Sequence, residues 1–160
     1  MENLINTLKE QHWDILSSCT ILEDFCKSGI NADGGDIEKW INKRGGVILH
    51  TMHFKEILIE HLKEILIEHL KLEDKEFYPV LMKAKDKKIR ETSAKFSNEM
   101  NLISKKVISF FETYTHLKVE EISQNEMFRL DLNTVITIIR RRIQLEDSEL
   151  YPLYDKAIKK

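Results

Sequence analysis

The chain has 160 residues, enough for one domain with a sizeable core and short for two, so a single domain over residues 1–160 is expected. Its 25 Lys plus Arg stand against 27 Asp plus Glu, a balance that calls for neither nucleic acid nor an anionic membrane. Two prolines and five glycines amid abundant Leu, Ile, Lys and Glu exclude a turn-rich sheet and set the class as all-α.

Residues 2–28 carry Ile5, Leu8, His12, Ile15, Cys19, Leu22 and Cys26 at alternating spacings of three and four, the seam of an amphipathic helix with His12 inside it. Cys19 and Cys26 are about two turns apart on that face, too distant for a disulfide, and read as reduced core residues. Gly29 closes the helix, Asn31-Ala32-Asp33-Gly34-Gly35 forms a loop, and Asp36 caps a second helical region that runs to about residue 85 and breaks or bends at Gly45-Gly46. Asp86 caps a third helix with Phe96, Met100, Ile103, Val107, Phe110, Tyr114 and Leu117 in heptad-like rhythm. Ser123-Gln124-Asn125-Glu126 has the form of a capping box before a fourth helix carrying Leu132, Ile136, Ile139, Ile143, Glu146 and Leu150. Four amphipathic helices with short connections predict an antiparallel up-down-up-down bundle.

Two repeats punctuate this pattern. Residues 55–62 and 63–70 are the same octapeptide, KEILIEHL, in tandem. Eight residues rotate a helix by two turns plus about 80°, so His61 and His69 cannot occupy equivalent sites, and the duplication reads as slippage or an engineered insertion. The second repeat relates residues 70–84, LKLEDKEFYPVLMKA, to residues 143–157, IQLEDSELYPLYDKA, which predicts a pseudo-twofold relation between the second and fourth helices.

The segment His69-Leu70-Lys71-Leu72-Glu73-Asp74-Lys75-Glu76-Phe77-Tyr78-Pro79 resembles the metal-binding helix of the hemerythrin-like (HHE cation-binding) family, in which H-x-x-x-E precedes an acidic stretch and an aromatic-proline pair. His69 and Glu73 are one turn apart, so an imidazole nitrogen and a carboxylate can reach one ion from one face. The pattern recurs from Arg142 to Pro152, with Glu146 kept and Arg142 where the family places histidine. His12 matches the histidine of the family's first helix by position. Glu99-Met100-Asn101 and Ser104 stand where the third helix is expected to supply histidines. The resemblance implies a four-helix bundle around a non-heme di-iron centre for dioxygen carriage or sensing, nitric oxide responses or repair of iron centres. In this chain it implies His12, His69, Glu73 and Glu146 as metal ligands, a set for one iron or a partial di-iron site.

Glu73 and Glu146 both fall in apolar seams, and carboxylates buried without compensation cost several kcal/mol each, so positive charge must meet them. A metal ion is one source. Arg142, one turn before Glu146, is the other, and a salt bridge there takes the place of the second metal. His50 and His53, three apart, read as structural, and His61 lacks a carboxylate four residues on, since Ile65 stands there. In the run Arg140-Arg141-Arg142 the first two read as a solvated face.

The leading expectation is a cytoplasmic non-heme iron protein that binds or senses a small diatomic ligand, dioxygen or nitric oxide, or serves in iron and redox stress. The chain opens as Met1-Glu2-Asn3 without a signal-like segment, and its longest apolar runs fall far short of the roughly 20 residues of a bilayer span. The alternative is a metal-free regulatory or interaction module in which Arg142 replaces a metal. A ferritin-like ferroxidase calls for Glu-x-x-His motifs that no histidine here completes, and no hydrolase or phosphate-loop motif occurs, so binding is expected rather than turnover. A homodimer is left open.

Overall fold

The structure is a computed structural model that describes the backbone of residues 3–28, 51–114 and 126–158 and the side chains of 3–24, 58–114 and 126–158. The readings of the loop at 29–35, the cap at Asp36, the break at Gly45-Gly46, the capping residues Ser123 to Asn125, and the side chains of Cys26, His50, His53 and Leu117 lie outside the described residues. The described backbone is helical throughout apart from short turns: α1 (Leu4–Ser28), α2 (Thr51–Leu72), a π-helical turn (Glu73–Phe77), α3 (Tyr78–Met82), α4 (Lys87–Tyr114), α5 (Glu126–Leu145), a second π-helical turn (Glu146–Leu150) and α6 (Tyr151–Ile158). They form four rods, because α2 runs through its π turn into α3 and α5 runs through its own into α6.

Local chemistry sets the helix starts. The Asn3 side chain accepts the Ile5 amide at 2.9 Å, capping α1. Asp86 does the same for the Lys88 amide at 2.8 Å, as its position before α4 predicts.

Two apolar clusters define how the rods pack. One joins Ile15, Cys19 and Leu22 of α1 to Leu58, Leu62 and Leu66 of α2, Val107 and Phe110 of α4, and Phe128 to Ile143 of α5. The other joins Ile5 and Leu8 to Phe77, Leu81, Ile89, Phe96, Leu150 and Tyr151. The start of the first rod therefore meets the end of the second, the start of the third and the end of the fourth, so neighbouring rods run antiparallel. The described residues form an all-α four-helix bundle of the expected up-down-up-down form. Among the described residues no helix is long and apolar enough to cross a membrane.

Both π turns fall on the repeated acidic segment. In each, a tyrosine amide bonds five residues back, Tyr78 to the Glu73 carbonyl and Tyr151 to the Glu146 carbonyl. Pro79 and Pro152 follow, and a proline ring collides with the carbonyl four residues before it in an α-helix, which the wider turn relieves. Uninterrupted α-helix would separate Glu73 and Tyr78 by about 140° around the axis. Here Glu73, Phe77 and Tyr78 are all buried while Asp74, Lys75 and Glu76 face out, and residues 146–151 repeat the arrangement. The sequence pattern predicted continuous helix at these points; paired turns break it.

The tandem octapeptide behaves as its phase requires. Leu58, Leu62, Leu66, His69 and Glu73 form one buried stripe that crosses the copies, while Leu70, the counterpart of Leu62, is only partly buried. His61 lies off the stripe and meets both carboxylate oxygens of Asp14 on α1 at 3.2 Å, a partner on another helix that no spacing within α2 reveals. Cys19 is buried and free, and burial pushes its thiol up to about 12, with nearby Arg140 opposing. Arg140 is only half solvated, since it reaches Glu23 at 3.0 Å and Thr20 at 3.2 Å on α1, whereas Arg141 is exposed as expected.

Candidate metal centre

Between the two apolar clusters lies a layer of buried polar side chains: His12, His69, Glu73, Arg142 and Glu146, each at most 4% exposed. α1 supplies His12, α2 supplies His69, and the two π turns supply Glu73 and Glu146. The four residues singled out in sequence as ligands are thus brought together. One ligand atom each from His12, His69 and Glu146 fits within 4.8 Å of the others.

The histidines are oriented from behind. His12 Nδ1 lies 2.9 Å from Asp147 Oδ1, and His69 Nδ1 lies 2.9 Å from Gln11 Oε1. Those oxygens only accept, so both Nδ1 atoms carry hydrogen and donate, which leaves each Nε2 of the neutral ring a lone pair. The two Nε2 atoms face each other at 3.1 Å. Two lone pairs at that distance repel unless a cation, proton or metal, sits between them and the carboxylates.

The carboxylates complete the cage. Glu146 Oε1 is 3.0 Å from His12 Nε2 and 3.6 Å from His69 Nε2, while Glu73 Oε1 is 3.3 Å from His69 Nε2. Glu73 Oε1 has no hydrogen-bond partner among the described residues, although it is buried. A buried carboxylate oxygen with no hydrogen bond, beside two converging imidazole nitrogens, is a donor set suited to a divalent cation. Tyr151 stacks on the His12 ring and puts its hydroxyl 3.0 Å from His12 Nε2 and 3.1 Å from Glu73 Oε2, to which it donates.

Glu146 uses its second oxygen differently. Arg142 Nε donates to Glu146 Oε2 at 3.1 Å, and Arg142 Nη2 donates to the Tyr78 hydroxyl and the Phe96 carbonyl, both at 2.9 Å. The guanidinium also lies over the Phe96 ring, 4.8 Å from its centroid. The salt bridge read from the sequence is present.

Charge in this layer is tightly linked. Burial favours the neutral form of His69, but its close contacts with Glu146 and Glu73 and their charges outweigh it and raise the imidazole to about 9. Burial and the neighbouring Glu146 charge push Glu73 up, against the pull of His69. Burial also works to raise Glu146, yet its close contacts with His12 and His69 and the charges of His69 and Arg142 hold it well below the ordinary carboxylate range. In the absence of metal, a proton on His69 therefore supplies the positive charge between the nitrogens.

A family model, the hemerythrin HHE cation-binding domain, matches residues 3–154, nearly the whole chain. The chain belongs to the hemerythrin HHE cation-binding family. No curated protein and no solved structure matches it. Membership gives this hemerythrin domain a metal-binding, iron-type character, and His12, His69 and Glu146 are a candidate ligand group within it.

Sequence reasoning missed the residues that orient the ligands. Gln11, Asp147, Tyr78 and Tyr151 all contact the layer. One signal was available: both tyrosines belong to the repeated Tyr-Pro pair, nine residues after His69 and Arg142 respectively. On the third rod, Met100, Ile103 and Ser104, from the stretch where histidines were expected, line a cavity of about 30 Å³ with His69, Arg142 and Glu146.

Proposed function

We propose that this hemerythrin domain binds non-heme iron through His12, His69, Glu73 and Glu146 and uses it to bind or sense a small diatomic ligand, dioxygen or nitric oxide. The observation that carries this reading is the pair of Nε2 atoms 3.1 Å apart, both ring backs engaged by acceptors, with a buried Glu73 oxygen 3.3 Å from His69 Nε2 that makes no hydrogen bond among the described residues. A ferrous ion held by these side chains would supply a one-electron couple and affinity for such a ligand. The chain supplies the rest: two oriented imidazoles, two carboxylates and the adjoining apolar cavity, whose about 30 Å³ admits a molecule of one or two heavy atoms. Burial of the whole layer keeps bulk water from competing for the site.

Elemental analysis and an optical spectrum of protein loaded with ferrous iron under argon, then exposed to air or nitric oxide, test the reading. Tightly held iron and a new visible band on gas addition are expected. Iron lost on gel filtration sinks it, as does a spectrum unchanged by either gas.

A metal-free interaction module is the second reading. It is favoured by the Arg142–Glu146 pair and by the capacity of His69 to hold a proton to about 9, which together neutralise the layer.

A further inference from the structure

The second and fourth rods place matching residues in matching roles. His69, Glu73 and Tyr78 occupy the repeat positions of Arg142, Glu146 and Tyr151. Each tyrosine crosses to the opposite rod: Tyr151 reaches His12 Nε2, His69 Nε2 and Glu73, while Tyr78 reaches Arg142. The guanidinium therefore stands, relative to its tyrosine and carboxylate, where the imidazole stands relative to the other pair.

Glu146 is divided between the two positions. Its Oε1 faces the histidines and its Oε2 faces Arg142 Nε at 3.1 Å, so it bridges the imidazole pair and a guanidinium. Arg142 is 4% exposed, and its Nη1 has no hydrogen-bond partner among the described residues, its nearest acid being Glu99 at 3.8 Å. A side chain buried only for packing does not need a full charge. This one is fixed by Glu146, the Tyr78 hydroxyl, the Phe96 carbonyl and the Phe96 ring.

Charge balance agrees. The buried acids of the layer are Glu73 and Glu146, against one fixed charge on Arg142, with Asp147 and Glu99 half-exposed at its edges. One dication with Arg142 already brings three positive charges against those two buried acids, a second would add two more to the core, and the third rod offers Met100, Ile103 and Ser104 in place of nitrogen donors.

We propose that the Arg142 guanidinium is the built-in second cation of this centre, so that each chain takes one metal ion and Glu146 bridges that ion to an arginine. The inference rests on the metal-binding reading above and fixes its stoichiometry.

Titration of metal-free full-length protein with Co²⁺, followed by elemental analysis after gel filtration, tests it. One equivalent per chain is expected. Two equivalents overturn the inference while leaving the metal-binding reading intact, and none sinks both.

Arg142→Met removes the fixed charge while keeping apolar bulk. It is expected to bind the first equivalent at least tenfold tighter, because the like-charge neighbour is gone, or to admit a second equivalent. A single equivalent held with unchanged or weaker affinity overturns the role. Arg142→Lys keeps the charge and is expected to match the native stoichiometry, with affinity within about threefold by competition with a chromophoric chelator; two equivalents in that variant also overturn it.

Discussion

His12 and His69 reach the centre with their outer nitrogens already engaged, and that is what makes the inner pair informative. An imidazole free to spin can present hydrogen or a lone pair. One whose Nδ1–H is held by Asp147 or Gln11 presents a lone pair whenever it is neutral. Such outer partners typically contribute 10–100-fold to metal affinity, so Asp147→Ala and Gln11→Ala are each expected to weaken metal binding by about that factor. Competition against a chromophoric chelator measures it, and affinities within twofold of native would show that the imidazoles are oriented by packing instead. Asp147 is the more telling of the two, since its side chain is 41% exposed and adds little to the core, which separates an effect on the ligand from one on stability. Neither residue stands out in the sequence. Gln11 is simply the neighbour of His12, and Asp147 belongs to the repeated acidic stretch, where nothing marks it as a partner of His12. Their roles arise across separations of 58 and 135 residues, which no local pattern encodes.

The helices themselves were more legible. Period-3.6 patterning placed the buried faces of the first, third and fourth rods, and His12 and Glu146 fell inside apolar seams where burial was inescapable once the helices packed. The two π turns were not legible as such, because helical periodicity is blind to one unpaired residue, although the prolines at 79 and 152 mark where the regular ladder must fail. Each turn lets a glutamate and a tyrosine five residues later face the same interior. Pro79→Ala and Pro152→Ala relieve the clash that favours the wide turn. Each is expected to keep the helical circular-dichroism signal while weakening metal binding several-fold, as Tyr78 or Tyr151 rotates away from the layer. Unchanged affinity in both variants would mean that packing alone fixes these turns. The octapeptide teaches a related lesson: identical residues have different environments because eight is not a whole number of turns, so His69 enters the centre and His61 pairs with Asp14.

For the molecule as a whole, a charged layer separating two apolar clusters links stability to whatever cation is present. Metal that binds only the folded chain stabilises it by about 2.7 kcal/mol at a hundredfold excess over its dissociation constant, which for this size raises the melting temperature by about 5–10 °C. Chelation should reverse that gain, and a melting temperature indifferent to both iron and chelator would favour the metal-free reading. The metal-free protein carries a further signature. His69 is raised from 6.5 to about 9 in the fold, so its contribution is complete below pH 6.5 and is lost as pH rises through about 9. Melting curves between pH 6 and 10 should therefore fall for the metal-free chain and stay flatter with metal bound, where no such proton is required. The sequence by itself determined the helical class and the antiparallel bundle, because periodicity and capping residues are properties of single helices, and its resemblance to a known family implied the candidate ligands. Only the tertiary structure decided that the ligands converge on one point, that two tyrosines cross between rods and that Glu146 is shared between imidazole and guanidinium. Those facts depend on the relative depth and rotation of packed helices, set by apolar contacts between residues far apart in the chain.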